Sequence, residues 1–267
     1  MTVFDLPALM IAPNGARRTR ADHPALPVTI PEIVQCAADC AAAGADGIHA
    51  HVRDAQGRHV LDAGLYRELL AELARQVPAL RVQVTSEAAG RYQAPEQQAV
   101  IRVLVPAYVS VALREMLPPA CSATQWQQAW DFYHWAADQG VMIQHILYAA
   151  DDLQQWLQLR DEGLVPAAAR VHLLFVLGRY TSRQQSRPQD LEPFLAGLKQ
   201  AGDDRLQWAV CAFGVQETDC LVAAHRQGGR IRVGFENSLW HADGRVAASN
   251  RERVEAVRRA LYPDGLP

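Results

Sequence analysis

Eight short runs rich in β-branched and other apolar residues recur along the chain, separated by longer stretches with helical periodicity. The runs are ALMIAPNGA, DGIHAHVRD, RVQVTSE, YVSVALR, MIQHILY, RVHLLFVLG, RLQWAVCAFG and RIRVGFENS. Among the helical stretches, TIPEIVQCAADCAAAG has Thr29 as N-cap, Pro31 in the first turn and Gly44 as its stop. DAGLYRELLAELARQV, SATQWQQAWDFYHWAADQG, DLEPFLAGLKQAG and NRERVEAVRRAL read the same way. Eight strand-and-helix alternations in about 250 residues match a (β/α)8 barrel, whereas a doubly wound open sheet stops at roughly five to seven strands. No linker or low-complexity segment breaks the beat. One α/β domain, a (β/α)8 TIM barrel over residues 1–267, is expected.

Hydrophobic residues make up 49% of the 267, enough to enclose a core of that size. The 26 Lys and Arg nearly cancel the 29 Asp and Glu, so no basic face for nucleic acid is announced, and small solutes are the expected partners. Cysteines at 36, 40, 121, 211 and 220 form no CxxC pair, and their odd count argues for the reducing cytoplasm over a disulfide framework. Cys36 and Cys40, four apart on a helix, could suit a metal, but buried small hydrophobes explain them as well. The N-terminal apolar run is broken by Asp5, Pro7 and Pro13, so neither a signal peptide nor a membrane span is expected.

Barrel chemistry is built at the C-terminal ends of the strands, and polar residues there are the informative ones. In DGIHAHVRD, Gly47, His49, His51 and Arg53 share one strand face while Ile48, Ala50 and Val52 share the other. Side chains at i and i+2 start about 7 Å apart, and their ring nitrogens can converge on one ion. HxH does not by itself specify a metal, since many strands carry two histidines by chance. In RIRVGFENS, Arg232, Gly234 and Glu236 share a face, and strand eight lies one strand away from strand two around the barrel. Two histidines, one carboxylate and an open position make a catalytic zinc arrangement. Alternatively, Glu236 is an ion-pair partner of Arg53.

The strings IAPNGARRTRADHPALPVT, AAGADGIHAHVRD, VQVTSEAAGRY and RVGFENSLW, with DGRVAASN after them, resemble the β-keto acid cleavage enzymes from about residue 10 to 255. The resemblance implies a (β/α)8 fold, one bound zinc and a homotetramer. It also implies a reaction in which a β-keto acid and acetyl-CoA give acetoacetate and a new acyl-CoA. Carried over by motif, His49, His51 and Glu236 are the implied zinc ligands and Arg232 the implied active-site arginine. Ser86 and Ser110 fall in elements similar to those that contact the substrate carboxylate and carbonyl. Asn14, at the end of the first strand, stands where a small polar group helps hold substrate; a turn-forming Asn-Gly is its other reading. Two positions depart from the best-known members: Asn237 follows Glu236 where they have an acid, and Gln144 replaces a carboxylate on the fifth strand. An amide takes no proton at neutral pH, so the family mechanism does not transfer whole to these two catalytic-site positions.

Cleavage of a β-keto acid passes through an enolate, which zinc as Lewis acid and the Arg232 guanidinium would stabilise. Arg232 lies four residues before Glu236, about 13 Å along an extended strand, so a buried guanidinium paired inside the barrel is its alternative. Glu87 ends RVQVTSE on the inner face and is the candidate base, or else a rim carboxylate paired with Arg53 or Arg91. Asp54 is a candidate to hold a ligand histidine in its tautomer. His145 and His172 fall in apolar strands and read as core histidines. RRTR, residues 17–20, could meet CoA phosphates or be a solvated loop. No P-loop or GxGxxG is present. Two competing functions stay open: a CoA-independent zinc hydrolase or aldolase, and a non-catalytic keto-acid-binding barrel, which the missing acids at 144 and 237 favour. Trp240, Tyr148 and Arg91 are candidate lining for the mouth.

Overall fold

The computed structural model describes residues 4–118, 120–166, 170–263 and 265. Its first half comprises β1 (Leu9–Ile11), α1 (Ile30–Ala42), β2 (Gly47–Ala50), α2 (Ala63–Gln76), β3 (Arg81–Thr85), α3 (Ala94–Leu104) and β4 (Tyr108–Ala112). Then come α4 (Leu113–Met116), α5 (Ala123–Asp138), β5 (Met142–Leu147), α6 (Ala150–Asp161), β6 (Val171–Leu177), α7 (Glu192–Ala201), β7 (Leu206–Ala212), α8 (Glu217–Arg226), β8 (Arg230–Val233) and α9 (Asn250–Leu261). The eight strands pair in parallel, in chain order, and β8 closes on β1 to complete a (β/α)8 barrel.

Strand parity divides the core in two. Ile11, Ile48, Ala50, Val84, Val109, Val111, Leu173, Phe175, Val210, Ile231 and Val233 face outward and pack against the helices. Met10, Tyr108, Ile146, Leu174, Val176 and Cys211 face the barrel axis and form a separate apolar plug. Polar inward positions share this axis: His49, Gln83, Ser110, Gln144, His172 and Arg232 are all buried. His145 points outward between the Tyr133 and Trp156 rings, where burial holds it down to about 3. On the axis, His172 bonds the Phe4 carbonyl at 3.1 Å.

Two strands end earlier than their sequence pattern suggests. β2 stops at Ala50 and β8 at Val233, so neither His51 nor Glu236 lies in regular strand. At Gly234 the backbone takes φ +139°, and a Cβ there would collide with the Ala12 carbonyl oxygen. The chain turns over the end of β1, where Glu236 N–H donates to Ala12 O at 3.1 Å. Glu236 thus reaches the barrel mouth by a turn, not by alternation along β8.

Helix α1 starts as its sequence predicts, with Thr29 as N-cap in a capping box with Glu32. Burial pushes the Glu32 carboxyl up, but the Arg20 guanidinium and the N–H groups of Thr29 and Val28 outweigh it and hold the group down to about 2, from an ordinary 4.5. A carboxyl depressed on folding stabilises above its ordinary value and loses that contribution as pH falls. Glu32→Gln is therefore expected to melt lower than wild type at pH 7, with the gap closing as pH falls from 4.5 towards 2. A gap that stays constant through that window in thermal melts would show that the charge is immaterial.

Candidate active site

His49 near the end of β2, His51 just beyond it and Glu236 on the turn after β8 converge at the C-terminal rim. His49 Nε2 and His51 Nε2 lie 3.0 Å apart, and Glu236 Oε2 lies 3.5 Å from the first and 3.6 Å from the second. These three side chains form a potential metal-holding group among the described residues. Burial pushes His49 down to about 4 against the pull of Glu236, and depresses His51 together with the nearby His49 and His59. Burial thus favours the neutral form of both imidazoles, the form in which a histidine ligates a metal.

Hydrogen-bond polarity assigns their tautomers. His59 Nε2 lies 2.9 Å from the Glu87 carbonyl oxygen, which only accepts, so Nε2 carries the proton and His59 Nδ1 is a lone pair. That lone pair faces His51 Nδ1 at 3.3 Å; His51 Nδ1–H must donate to it, leaving His51 Nε2 unprotonated. A second relay ends at another backbone carbonyl: Gln144 Nε2 donates to Leu173 O at 3.4 Å, and Gln83 Nε2 donates to Gln144 Oε1 at 2.9 Å. Gln83 Oε1 then accepts from His49 Nδ1–H at 2.8 Å, so His49 Nε2 is also a lone pair. Glu236 Oε2 has no protein donor either. Three acceptors facing one another without a proton repel unless a cation sits among them. Tetrahedral zinc with bonds of about 2.0–2.1 Å spaces its ligands about 3.3 Å apart, so this donor set fits that ion.

The relay predicts a role for His59 that no spacing rule announced. His59→Leu leaves His51 Nδ1–H without its acceptor and frees the ring to rotate, and is expected to weaken zinc binding about 10–100-fold. Competition against a chromophoric chelator measures this; affinity within twofold of wild type would remove His59 from the site.

Arg232 resolves its own difficulty of reach. Because the chain turns back at Gly234, Arg232 Nη2 donates to Glu236 Oε1 at 3.1 Å, and it also contacts Cys211 Sγ at 3.3 Å. One oxygen of Glu236 is thereby committed to the guanidinium and the other left for a cation. Arg232 Nε and Nη1 are buried without partners, as is the Ser110 hydroxyl, and both residues line the cavity below the rim.

Two cavities open here and share Glu87, Arg179, Phe213 and Glu236 as walls. The inner one follows the barrel axis past His49, Thr85, Ser110, Glu115, Tyr148 and Arg232. The outer one lies under the loop after β1 and is also lined by Asn14, Arg17, Arg18 and Gln184. The Glu87 carboxylate stands 3.9 Å from His51 Nε2. Burial, then Glu236, then Glu115 push Glu87 up to about 7. Glu115, unmarked by any sequence motif, is also pushed up by burial; Ala88 N–H and Gln97 Nε2 donate to its Oε2 at 3.1 and 2.6 Å.

Other expected residues take supporting places. Arg53 does not pair with Glu236 or Glu87: its guanidinium donates to the carbonyls of Asn14, Gly15, Arg18 and Gly57 and so fastens the loop after β1. Arg91 donates to His59 O at 2.6 Å. Asp54 holds no histidine; it binds Arg58 and the N–H groups of Gln56 and Arg58 in a tight turn. Asn14 clamps the backbone of His51, donating to its carbonyl at 2.9 Å and accepting from its N–H at 3.3 Å. Ser86 donates to Ser110 O at 2.9 Å, while its neighbour Thr85 faces the inner cavity. Gln144 is buried in the relay behind His49. Asn237 is fully buried, its carbonyl accepting from Arg18 Nη2 at 3.3 Å and its amide unpartnered. Neither Gln144 nor Asn237 lines the two cavities. Trp240 also stands outside both, with Arg18 5.9 Å from its ring.

A closed (β/α)8 barrel with two histidines and one carboxylate that could hold a cation at its C-terminal rim defines the class of protein. Within that class the chain belongs to the beta-keto acid cleavage enzyme family, whose sequence model matches residues 8–265. It is similar to the 3-keto-5-aminohexanoate cleavage enzyme of Fusobacterium nucleatum, 25% identical over 251 residues that cover 92% of this chain and 87% of that one. It is similar also to the 3-oxoadipate:acetyl-CoA acetyltransferase of Cupriavidus necator, 23% identical over 263 residues covering 97% and 89%. Among solved structures, the apo form of ObcA superposes with a TM-score of 0.70 at 16% identity, a likeness of fold. That match covers 90% of this chain but 62% of ObcA. Family membership makes this an enzyme acting on β-keto acids.

Proposed function

We propose that the protein is a zinc-dependent β-keto acid cleavage enzyme that takes a β-keto acid and acetyl-CoA to acetoacetate and a new acyl-CoA. Family membership and the relative named for 3-oxoadipate and acetyl-CoA support the reaction. The observation that carries the metal is the facing of three unprotonated acceptors, His49 Nε2, His51 Nε2 and Glu236 Oε2, within 3.6 Å. When bound, zinc would supply Lewis-acid stabilisation of the charge that develops on the substrate's ketone oxygen. The acyl group of the keto acid passes to CoA and the acetyl group to the remaining two-carbon carboxylate, so the atoms balance without a further reactant. A cytoplasmic homotetramer is part of the same reading. No described helix is long and apolar enough to cross a membrane.

Glu87 is the base in this mechanism. Its carboxylate lines both cavities, forms no ion pair with an arginine or lysine among the described residues, and stands beside the rim histidines. It takes a proton from the methylene carbon between ketone and carboxylate. Arg232 offers its free N–H groups, and Ser110 its hydroxyl, to substrate oxygens. Gln144 orients His49 through Gln83, a task an amide performs because it donates from one end and accepts at the other. Asn237 braces Arg18 through its carbonyl.

Glu87→Gln is expected to lower kcat by roughly 10²–10⁴-fold while zinc content stays at the wild-type level. Unchanged turnover would remove Glu87 as base. The reaction itself is tested by mass-spectrometric detection of acetoacetate and acyl-CoA from acetyl-CoA and a panel of β-keto acids, with and without a zinc chelator. Products that require acetyl-CoA and vanish on chelation support the proposal. Cleavage without CoA would place the protein among zinc hydrolases or aldolases, and binding without turnover would make it a keto-acid-binding barrel.

A further inference from the structure

The outer cavity carries more positive charge than the proposed chemistry uses. Arg17 and Arg18 come from the loop after β1, and Arg179 from the loop after β6. Among the described residues, neither the Arg17 nor the Arg179 guanidinium forms an ion pair or donates a hydrogen bond. Arg18 spends Nη2 on the Asn237 carbonyl at 3.3 Å, but its Nη1 is buried with no partner. Two carboxylates share the cavity: Glu236, already committed to Arg232 and the cation site, and Glu87. A guanidinium does not shed its proton, so the half-buried ones of Arg18 and Arg179 carry a desolvation cost that a ligand anion relieves, and the exposed Arg17 adds its charge at the cavity's mouth.

The arrangement is held in place from behind. Arg53 fastens the carbonyls of Asn14, Gly15 and Arg18. Arg20 pairs with Glu32 at the start of α1, and Asp22 accepts from the Thr19 N–H at 2.7 Å. On the other wall, Arg179 lies 5.4 Å from the Phe213 ring, a cation–π distance, and Thr181 Oγ1 donates to Gly178 O at 2.9 Å to tighten its loop. Guanidiniums from two loops, aimed at one cavity, suit a multi-oxygen anion.

We propose that Arg17, Arg18 and Arg179 form a binding site for an oxyanion group of a substrate, supplied either by a phosphate of CoA or by a second carboxylate on the β-keto acid. This rests on the proposed reaction and divides the cleft between its substrates. The inner cavity takes the reacting carbons, and the outer one takes a charged group remote from the bond being broken. Arg179, on the wall common to both, sets how far the anion stands from the metal ligand Glu236.

The test is equilibrium binding to the zinc-loaded protein by calorimetry, which needs no turnover. The probes are coenzyme A, 3-oxoadipate and 3-oxohexanoate, the last having the same chain length without the second carboxylate. In the double variant Arg17→Gln, Arg179→Gln, the affinity for at least one of the first two probes is expected to fall tenfold or more, while 3-oxohexanoate binds as to wild type. Loss confined to coenzyme A identifies a phosphate, and loss confined to 3-oxoadipate a carboxylate. Affinities for both within twofold of wild type, or a wild type that binds neither, would overturn the site. Wild-type zinc content and melting temperature mark the variant as folded; should it not fold, single Arg17→Gln, at an exposed side chain, carries the same comparison. A protein that makes no acetoacetate from acetyl-CoA yet shows the affinity loss would end the proposed reaction and leave the anion site standing.

Discussion

His51→Ala protein, dialysed against zinc-free buffer, is expected to retain far less than one zinc per chain and to turn over on the order of 10³-fold or more slowly. Removing His51 deletes one of three donors within 3.6 Å of one another and opens a hole at a fully buried position. Lewis-acid stabilisation is worth several kcal/mol, and each 1.4 kcal/mol is tenfold in rate, so loss of the ion alone accounts for a factor of this size. The effect should exceed that of His59→Leu, which disturbs the same ring from behind without removing a donor. Emission spectroscopy for zinc and steady-state rates measured on the same preparation make the comparison. A His51→Ala protein that holds zinc at full stoichiometry would show that the ion is bound elsewhere than among His49, His51 and Glu236.

Arg253→Met is expected to have the largest effect on stability, about 3–5 kcal/mol, read as a drop of roughly 10 °C or more in melting temperature. Arg253 and Glu217 are both fully buried, with Nη2 of the first 2.7 Å from Oε2 of the second. The same guanidinium donates to Thr218 Oγ1 at 3.0 Å and contacts His241 Nδ1 at 3.1 Å. Burial pushes the Glu217 carboxyl up to about 7 even with Arg253 pulling it down. Without the arginine, Glu217 would be neutral at pH 7. The damage reaches the rim, because Glu217 Oε1 accepts from Gly234 N–H, two residues before Glu236. Exchanging both partners for apolar residues in Arg253→Met, Glu217→Met should recover part of the stability, since the buried carboxyl left without its partner is then gone. It should not recover zinc affinity, because Glu217→Met removes the acceptor of Gly234 N–H. If the double variant restored both, the pair would have no role in placing the Glu236 turn.

Much of the site was legible because strand parity and register are short-range rules. His49 and Arg232 face the axis as alternation requires, and parallel pairing sets His49 directly beside Gln83. Gln83 could therefore have been found by aligning β2 with β3, and the relay to Gln144 by carrying that logic round to β5. His59 had a weaker signal, the antiparallel bridge it forms with Arg53 across a tight turn. Glu115 and Arg179 had none: each lies in a segment after a strand whose path the sequence pattern does not specify. The same cause undid the Asp54 reading, since a carboxylate near the histidines in sequence was drawn into its own turn by Arg58. Thr85 faces the inner cavity as alternation from Gln83 requires, whereas Ser86, just past the end of β3, turns its hydroxyl to the Ser110 carbonyl.

The sequence by itself determined the eightfold alternation, the inward face of each strand and the residue types that meet at the rim. Period-2 burial and helix capping are decided by neighbours a few residues apart. Only the tertiary structure decided which lone pairs face one another, how Arg232 reaches Glu236 across the Gly234 turn, and that three arginines from two loops share one cavity with Glu236. Those depend on where loops turn after the strands end, and loop paths are set by bonds such as Glu217 to Gly234, 17 positions apart, Arg53 to the Asn14 carbonyl, 39 apart, and Asn250 to the Pro13 carbonyl, 237 apart.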